Sequence, residues 1–93
     1  MKKTTEEDGW RSFLDLCLKA KSQKELGELL EFFLTHTERS EISARCLIIR
    51  ELLMGKKSQR EMAKDLKVSI AKITRGSNIL KTISADLRKV LEK

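Results

Sequence analysis

The chain has 93 residues, of which 40% are hydrophobic and 37% charged, with no Pro, four Gly and a formal net charge of +6. This length leaves room for one domain at most, and the apolar share excludes a disordered tail. No apolar run nears the roughly 18 residues of a membrane span, and the charged N-terminus does not lead into a signal-peptide apolar segment, so a cytoplasmic protein with no membrane partner is expected.

The absence of Pro and scarcity of Gly favour nearly all-helical structure. Thr4 and Glu7 have capping-box spacing and open a first helix to about residue 22. Its apolar residues Trp10, Phe13, Leu14, Cys17 and Leu18 recur every three or four positions. Ser22 begins a short break. A second helix, about 23–33, places Leu26, Leu29, Leu30 and Phe33 on one face. Thr35 and Glu38 form another capping box, so a third helix runs from about 36 to Met54, where Gly55 is a suitable terminator. Its residues Ile42, Cys46, Ile49 and Leu53 make one stripe, with Ile48 and Leu52 beside it. So wide an apolar sector suits a central helix contacted from two sides. The aromatic supply is thin (Trp10, Phe13, Phe32 and Phe33), and a chain this short buries a modest core. The fold is therefore a compact helical domain, or one that needs a partner subunit to complete its core.

Ser58 and Glu61 make a third capping box and start a fourth helix, about 59–65. Residues 66–69 form the turn, and Ser69 caps a fifth helix, about 70–80. Ser84 or Thr82 starts a last helix carrying Leu87, Val90 and Leu91. Cys17 and Cys46 lie on apolar helical faces without CxxC spacing and read as buried free thiols. His36, the only histidine, lacks partners for a metal or catalytic site and reads as a loop or first-turn residue. No acid pair, Cys/His set or Gly-rich phosphate loop outweighs a structural reading, so an enzyme is not expected.

Residues 58–78 read as a helix-turn-helix, a device that places one helix in the DNA major groove. Residues 56–81 hold eight Lys and Arg against two acids, so their surplus equals the net +6 of the whole chain. Ala63 supplies the small residue that a close crossing requires. Met62, Leu66, Val68, Ile70 and Ile73 can fill the wedge behind the two helices. Gly is common at such turns because φ > 0 is easy for it; here Lys67 takes that position. The small and apolar Ile70 and Ala71 can approach base edges and thymine methyls. Gln59, Arg60, Thr74, Asn78 and Lys81 are candidates for phosphate contacts, and Lys57, Ser69 and Lys72 complete the DNA-facing set. Few long base readers sit on the fifth helix, so readout through water and DNA shape is expected. The alternative for this segment is an ordinary helical hairpin with a solvated basic face.

The segments Leu34-Thr35-x-x-Glu38-Arg39, Arg45, Glu51-Leu52-Leu53-x-Gly55, Ser58-Gln59-Arg60-Glu61 and Ile73-Thr74-Arg75-Gly76-Ser77-Asn78 resemble the bacterial Trp repressor family. The similarity runs without gaps from about Leu34 to Lys81 and continues more weakly into both ends. It implies an all-α, six-helix, interleaved homodimer, with residues 1–93 as one domain. The helix-turn-helix would span about 58–80, and the dimerisation helices about 5–54. It implies binding of double-stranded, pseudo-palindromic operator DNA with free L-tryptophan as corepressor. Arg45 and Arg75 would sandwich the indole, Arg75 would pair with the carboxylate, and Gly76 would leave room for the ligand. Thr35 and the carbonyls around Phe32 and Leu34, from the partner subunit, would receive the ammonium group. Ile79 stands where the family usually has a serine beside that amine, which removes one hydrogen bond worth ~1 kcal/mol. Ala63 stands where a basic residue is frequent and Lys72 where Thr is frequent, so operator preference can differ. Read from the residues alone, Arg45 is an ordinary surface arginine paired with Glu41 one turn earlier, and Arg75 a phosphate contact; the ligand role comes from the resemblance.

Three alternatives remain at this point. One is a helix-turn-helix regulator that is ligand-independent or responds to another indole. Another is a helical adaptor whose basic face meets an acidic protein or membrane surface, with DNA affinity set purely by salt. An enzyme is the least expected of them, because no catalytic set outweighs a structural reading.

Overall fold

The computed structural model describes residues 5–92. They form six helices: α1 (Glu6–Lys19), α2 (Gln23–Phe33), α3 (His36–Met54), α4 (Gln59–Leu66), α5 (Ile70–Leu80) and α6 (Ala85–Glu92). No strand occurs among the described residues. The all-helical expectation therefore holds, and five of the six helices fall within a residue or two of their expected bounds.

Local chemistry accounts for those bounds. Short polar side chains satisfy the orphan N–H groups that every helix start leaves. The Glu38 N–H donates to Thr35 Oγ1 at 3.1 Å, and the Thr35 N–H donates to Glu38 Oε1 at 2.9 Å. The backbone donor at Thr35, then its hydroxyl, hold the Glu38 carboxyl below its ordinary pKa. Ser58 and Glu61 repeat the box at 3.1 and 3.2 Å. Ser69 Oγ accepts from the Lys72 N–H at 3.3 Å and starts α5. At the last helix, Ser84 Oγ accepts from the Leu87 N–H, whereas Thr82 Oγ1 donates to the Ile79 carbonyl and closes α5 instead. Gly55, at φ +65°, donates its N–H to the Glu51 carbonyl and ends α3. His36 is the first residue of α3.

Helix α1 differs from expectation at both ends. Thr4 lies outside the described residues. The observed box uses Thr5 and Asp8, at 3.0 and 3.1 Å. The helix stops at Lys19 rather than near 22, because Ser22 must be extended (φ −151°, ψ 163°) to cap α2, and the chain leaves helical geometry at Ala20 to allow it.

The chain divides into two compact units after Arg39. In the first, Phe13 meets Trp10 in a stacked pair at 5.8 Å and Phe33 edge-on at 5.2 Å. Neither α1 nor α2 has a buried residue. Trp10, Leu18 and Phe32 are exposed by 56%, 84% and 82%, which is far more apolar surface than two helices normally leave in water.

In the second unit, Ile48 of α3, Met62 of α4 and Ile73 of α5 form the buried cluster, with Leu52, Ala63, Leu66 and Val68 packed around it. Burial of each large member contributes roughly 1.5–3 kcal/mol. Ile70 is about half exposed, so it is not part of the wedge. It is the first residue of α5, ahead of the turn that meets the core, and Ile48 and Leu52 of α3 fill the wedge instead. The other stripe of α3 is uncovered: Ile42, Cys46, Ile49 and Leu53 line an open groove of about 710 Å³ together with Leu91 of α6. Both thiols are free, but neither is buried: Cys17 is partly exposed and Cys46 exposed. They lie on apolar faces as expected, and those faces are open in the single chain.

The turn between α4 and α5 rests on Lys67, the one non-glycine with positive φ among the described residues (φ 56°, ψ 43°). A left-handed L-residue carries roughly 1–2 kcal/mol of strain. Lys67→Gly is therefore expected to raise the unfolding free energy by about 0.5–1 kcal/mol, after allowing for the extra freedom of unfolded Gly. Lys67→Val, β-branched at φ > 0, should lower it by about 1–2 kcal/mol. Denaturant titrations at one protein concentration measure both.

Candidate ligand cavity and nucleic-acid interface

Helices α3 and α5 cross closely because position 76 has no side chain. A Cβ at Gly76 would stand 3.2 Å from Ile48 Cγ2 and 3.6 Å from Leu52 Cδ1. Beside the crossing the helices diverge around a cavity of about 350 Å³, at the lower end of the ~300–1,000 Å³ typical of small-molecule sites. Helix α3 lines it with Glu41, Ala44, Arg45, Ile48 and Ile49, and α5 with Lys72, Arg75, Gly76 and Ile79. The floor is therefore aliphatic and the rim carries three cations and one acid. Glu41 Oε2 is 3.8 Å from the Arg45 guanidinium, one helical turn away. Both side chains are largely exposed, so this contact restrains Arg45 only weakly.

Such a rim and floor suit a flat apolar molecule with an anionic group. Guanidinium planes stack on aromatic faces and pair with carboxylates in a bidentate fork. Four residues expected at the ligand, Arg45, Arg75, Gly76 and Ile79, thus share one cavity. Phe32, Leu34 and Thr35, at the junction of α2 and α3, are not among its walls, and the Thr35 hydroxyl already accepts the Glu38 N–H. Glu41, Ala44, Ile48 and Ile49 line the cavity without having been expected there, and Lys72, expected at DNA alone, is also one of its walls. A signal was present: 41, 44, 45, 48 and 49 recur at helical spacing on α3, as do 72, 75, 76 and 79 on α5.

On the α4–α5 pair, Arg60, Lys64, Ser69, Ile70, Ala71, Lys72, Thr74, Asn78 and Lys81 are exposed and Gln59 is partly so. Thr74 Oγ1 donates to Gln59 Oε1 at 2.9 Å, tying the start of α4 to the middle of α5. That bond occupies the Gln59 carbonyl and leaves its amide N–H groups to point at an acceptor. Lys57 is the exception. Its ammonium is 2.8 Å from Asp65 Oδ2 and 4.0 Å from Glu51 Oε2, so two carboxylates already engage it.

No group of His, Cys, Asp or Glu able to hold a metal ion occurs among the described residues. No described helix is long and apolar enough to cross a membrane.

The family model of the Trp repressor protein matches residues 8–93. A Trp operon repressor homolog of Chlamydia trachomatis is 46% identical over 91 residues, covering 98% of this chain and 97% of its own length. The homolog of Chlamydia caviae is 41% identical over 92 residues, with 99% and 91% covered. That of Vibrio cholerae is 44% identical over 82 residues, with 88% and 80% covered.

Proposed function

Because the chain belongs to the Trp repressor family, whose members are DNA-binding transcriptional repressors and not enzymes, we propose that it is a homodimer that binds pseudo-palindromic operator DNA when L-tryptophan occupies the cavity between α3 and α5. The observation that carries this reading is the convergence of Arg45, Arg75, Gly76 and Ile79 on one cavity at the inner side of a basic helix-turn-helix.

In this proposal Arg45 and Arg75 stack on the two faces of the indole, and Arg75 also pairs with the carboxylate. Gly76 keeps the α5 backbone close, and Ile48, Ile49 and Ile79 supply apolar contact. Thr35 and the carbonyls around Phe32 and Leu34, from the second copy, receive the ammonium group. The uncovered stripe of α3 and the exposed Trp10, Leu18 and Phe32 support a second copy as their cover. Gln59, Arg60, Ser69, Thr74, Asn78 and Lys81 hold phosphates, while Ile70, Ala71 and Lys72 approach base edges. The ligand acts by population shift: α5 forms one wall of its site, so the orientation of α5 that binds it better becomes the dominant one.

Linkage requires that DNA tighten tryptophan binding by the factor by which tryptophan tightens DNA binding. Calorimetry with tryptophan, with and without a duplex selected from a randomised pool, is expected to show equal factors. No binding of tryptophan in either condition would sink the proposal. Ile79, about half exposed at the cavity wall and unable to accept a hydrogen bond, favours a second reading in which another indole is preferred. Titrating that indole beside tryptophan separates the two.

A further inference from the structure

We infer that Lys57 is a positioning residue for the DNA-reading helices: it clamps the end of α3 to the end of α4 through Glu51 and Asp65, and it makes no phosphate contact of its own. The inference rests on the proposal that the α4–α5 pair reads DNA.

Lys57 lies in the short link 55–58 between the terminator of α3 and the cap of α4. Its ammonium meets Asp65, the penultimate residue of α4, at 2.8 Å and Glu51, in the last turn of α3, at 4.0 Å. The Glu51 side chain is 17% exposed, that of Lys57 36% and that of Asp65 47%, so the group is tucked against α3 on the Glu51 side and open to solvent on the Asp65 side. The hydrogen bond to Asp65 raises the Lys57 pKa, and the same bond lowers that of Asp65, so both stay charged at neutral pH.

The location gives the clamp its role. Asp65 immediately precedes Leu66 and the left-handed Lys67, where the chain turns into α5. The start of α4 is fixed by its Ser58–Glu61 box. The end of α4 is held by side-chain packing of Met62 and Leu66 and by this ion pair. Freeing it lets the turn, and the start of α5 with it, sample more than one angle to α3. Two carboxylates against one ammonium also mean that this group adds no positive charge to the reading surface. The phosphates are left to the other cations of the segment.

The two roles predict opposite signs for Asp65→Asn. Removing an acid from a DNA-binding surface tightens binding if only charge matters. If the clamp positions α4, binding to a duplex selected by the native protein weakens by about fivefold, the scale of a well-formed surface pair. Lys57→Met should weaken it similarly while leaving the slope of log affinity against log salt unchanged. A lost phosphate contact would reduce that slope by about one. Circular dichroism melts confirm that both variants are folded at the assay temperature. Tighter binding by Asp65→Asn, unchanged affinity for both variants, or a reduced slope for Lys57→Met overturns the clamp alone. Failure of the native protein to bind any duplex overturns the DNA reading and the clamp together.

Discussion

Replacing Arg75 with Ala is expected to abolish the response of DNA binding to tryptophan while leaving the melting temperature nearly unchanged. Arg75 is an exposed residue of α5 at the rim of the cavity, so its removal opens no hole in the core. Its proposed work is directed at the ligand. A charge-assisted hydrogen bond to a carboxylate contributes about 1.5–3 kcal/mol, and stacking of a guanidinium on an aromatic face adds about 0.5–2 kcal/mol. Together these predict a loss of ligand affinity of roughly a hundredfold, since about 1.4 kcal/mol is a factor of ten. Linkage then flattens the titration of DNA affinity against tryptophan. Arg75→Lys should fall between, because an ammonium keeps the charge but neither stacks as a plane nor forks. Calorimetry and mobility-shift titrations give the two readings. If Arg75→Ala retains the native response, the cavity assignment is wrong even if the protein binds DNA. Should the variant instead lose DNA binding at every tryptophan concentration, Arg75 is a phosphate contact.

Helix boundaries were legible wherever a side chain marks them. Thr35, Ser58 and Ser69 each place a hydroxyl one residue before a helix, and Gly55 supplies the left-handed turn that ends one. These are interactions over three or four residues, so a linear reading captures them. The start of α1 was ambiguous for the same reason: Thr4 with Glu7 and Thr5 with Asp8 have the same spacing, and nothing local separates them. What covers a face is not local. Periodicity put Cys46 on an apolar stripe of α3, but that stripe lines an open groove in the single chain. Ile70 and Ile73 read alike in sequence, yet only Ile73 reaches Ile48 and Met62. Charge counting has the same limit. It weighs Lys57 and Arg60 equally, although six residues back and eight residues forward two acids close on Lys57. The ligand cavity was half legible: the resemblance supplied Arg45, Arg75, Gly76 and Ile79, while Ile48 and Ile49 needed the crossing of α3 and α5 to become walls.

That crossing also predicts the largest effect on stability. Ile73 is 0% exposed and packs against Ile48 and Met62, the other members of its buried cluster among the described residues. Truncating a buried Ile to Ala loses transfer free energy and leaves a cavity, together about 2–5 kcal/mol. The better helix propensity of Ala returns only about half a kcal/mol. Small domains have about 5–15 kcal/mol in total, so a loss of this size takes a large share of what holds α4 and α5 to α3. Ile73→Ala should therefore lower the denaturant midpoint sharply and speed amide exchange in α4 and α5. DNA binding should fail at temperatures the native protein tolerates. Ile73→Val removes one methylene and should cost about 0.5–1.5 kcal/mol. The ratio of the two separates packing from a general sensitivity of the helix. A cost below about 1 kcal/mol for Ile73→Ala would mean that contacts outside this cluster, such as those a second copy brings, hold the reading helices in place.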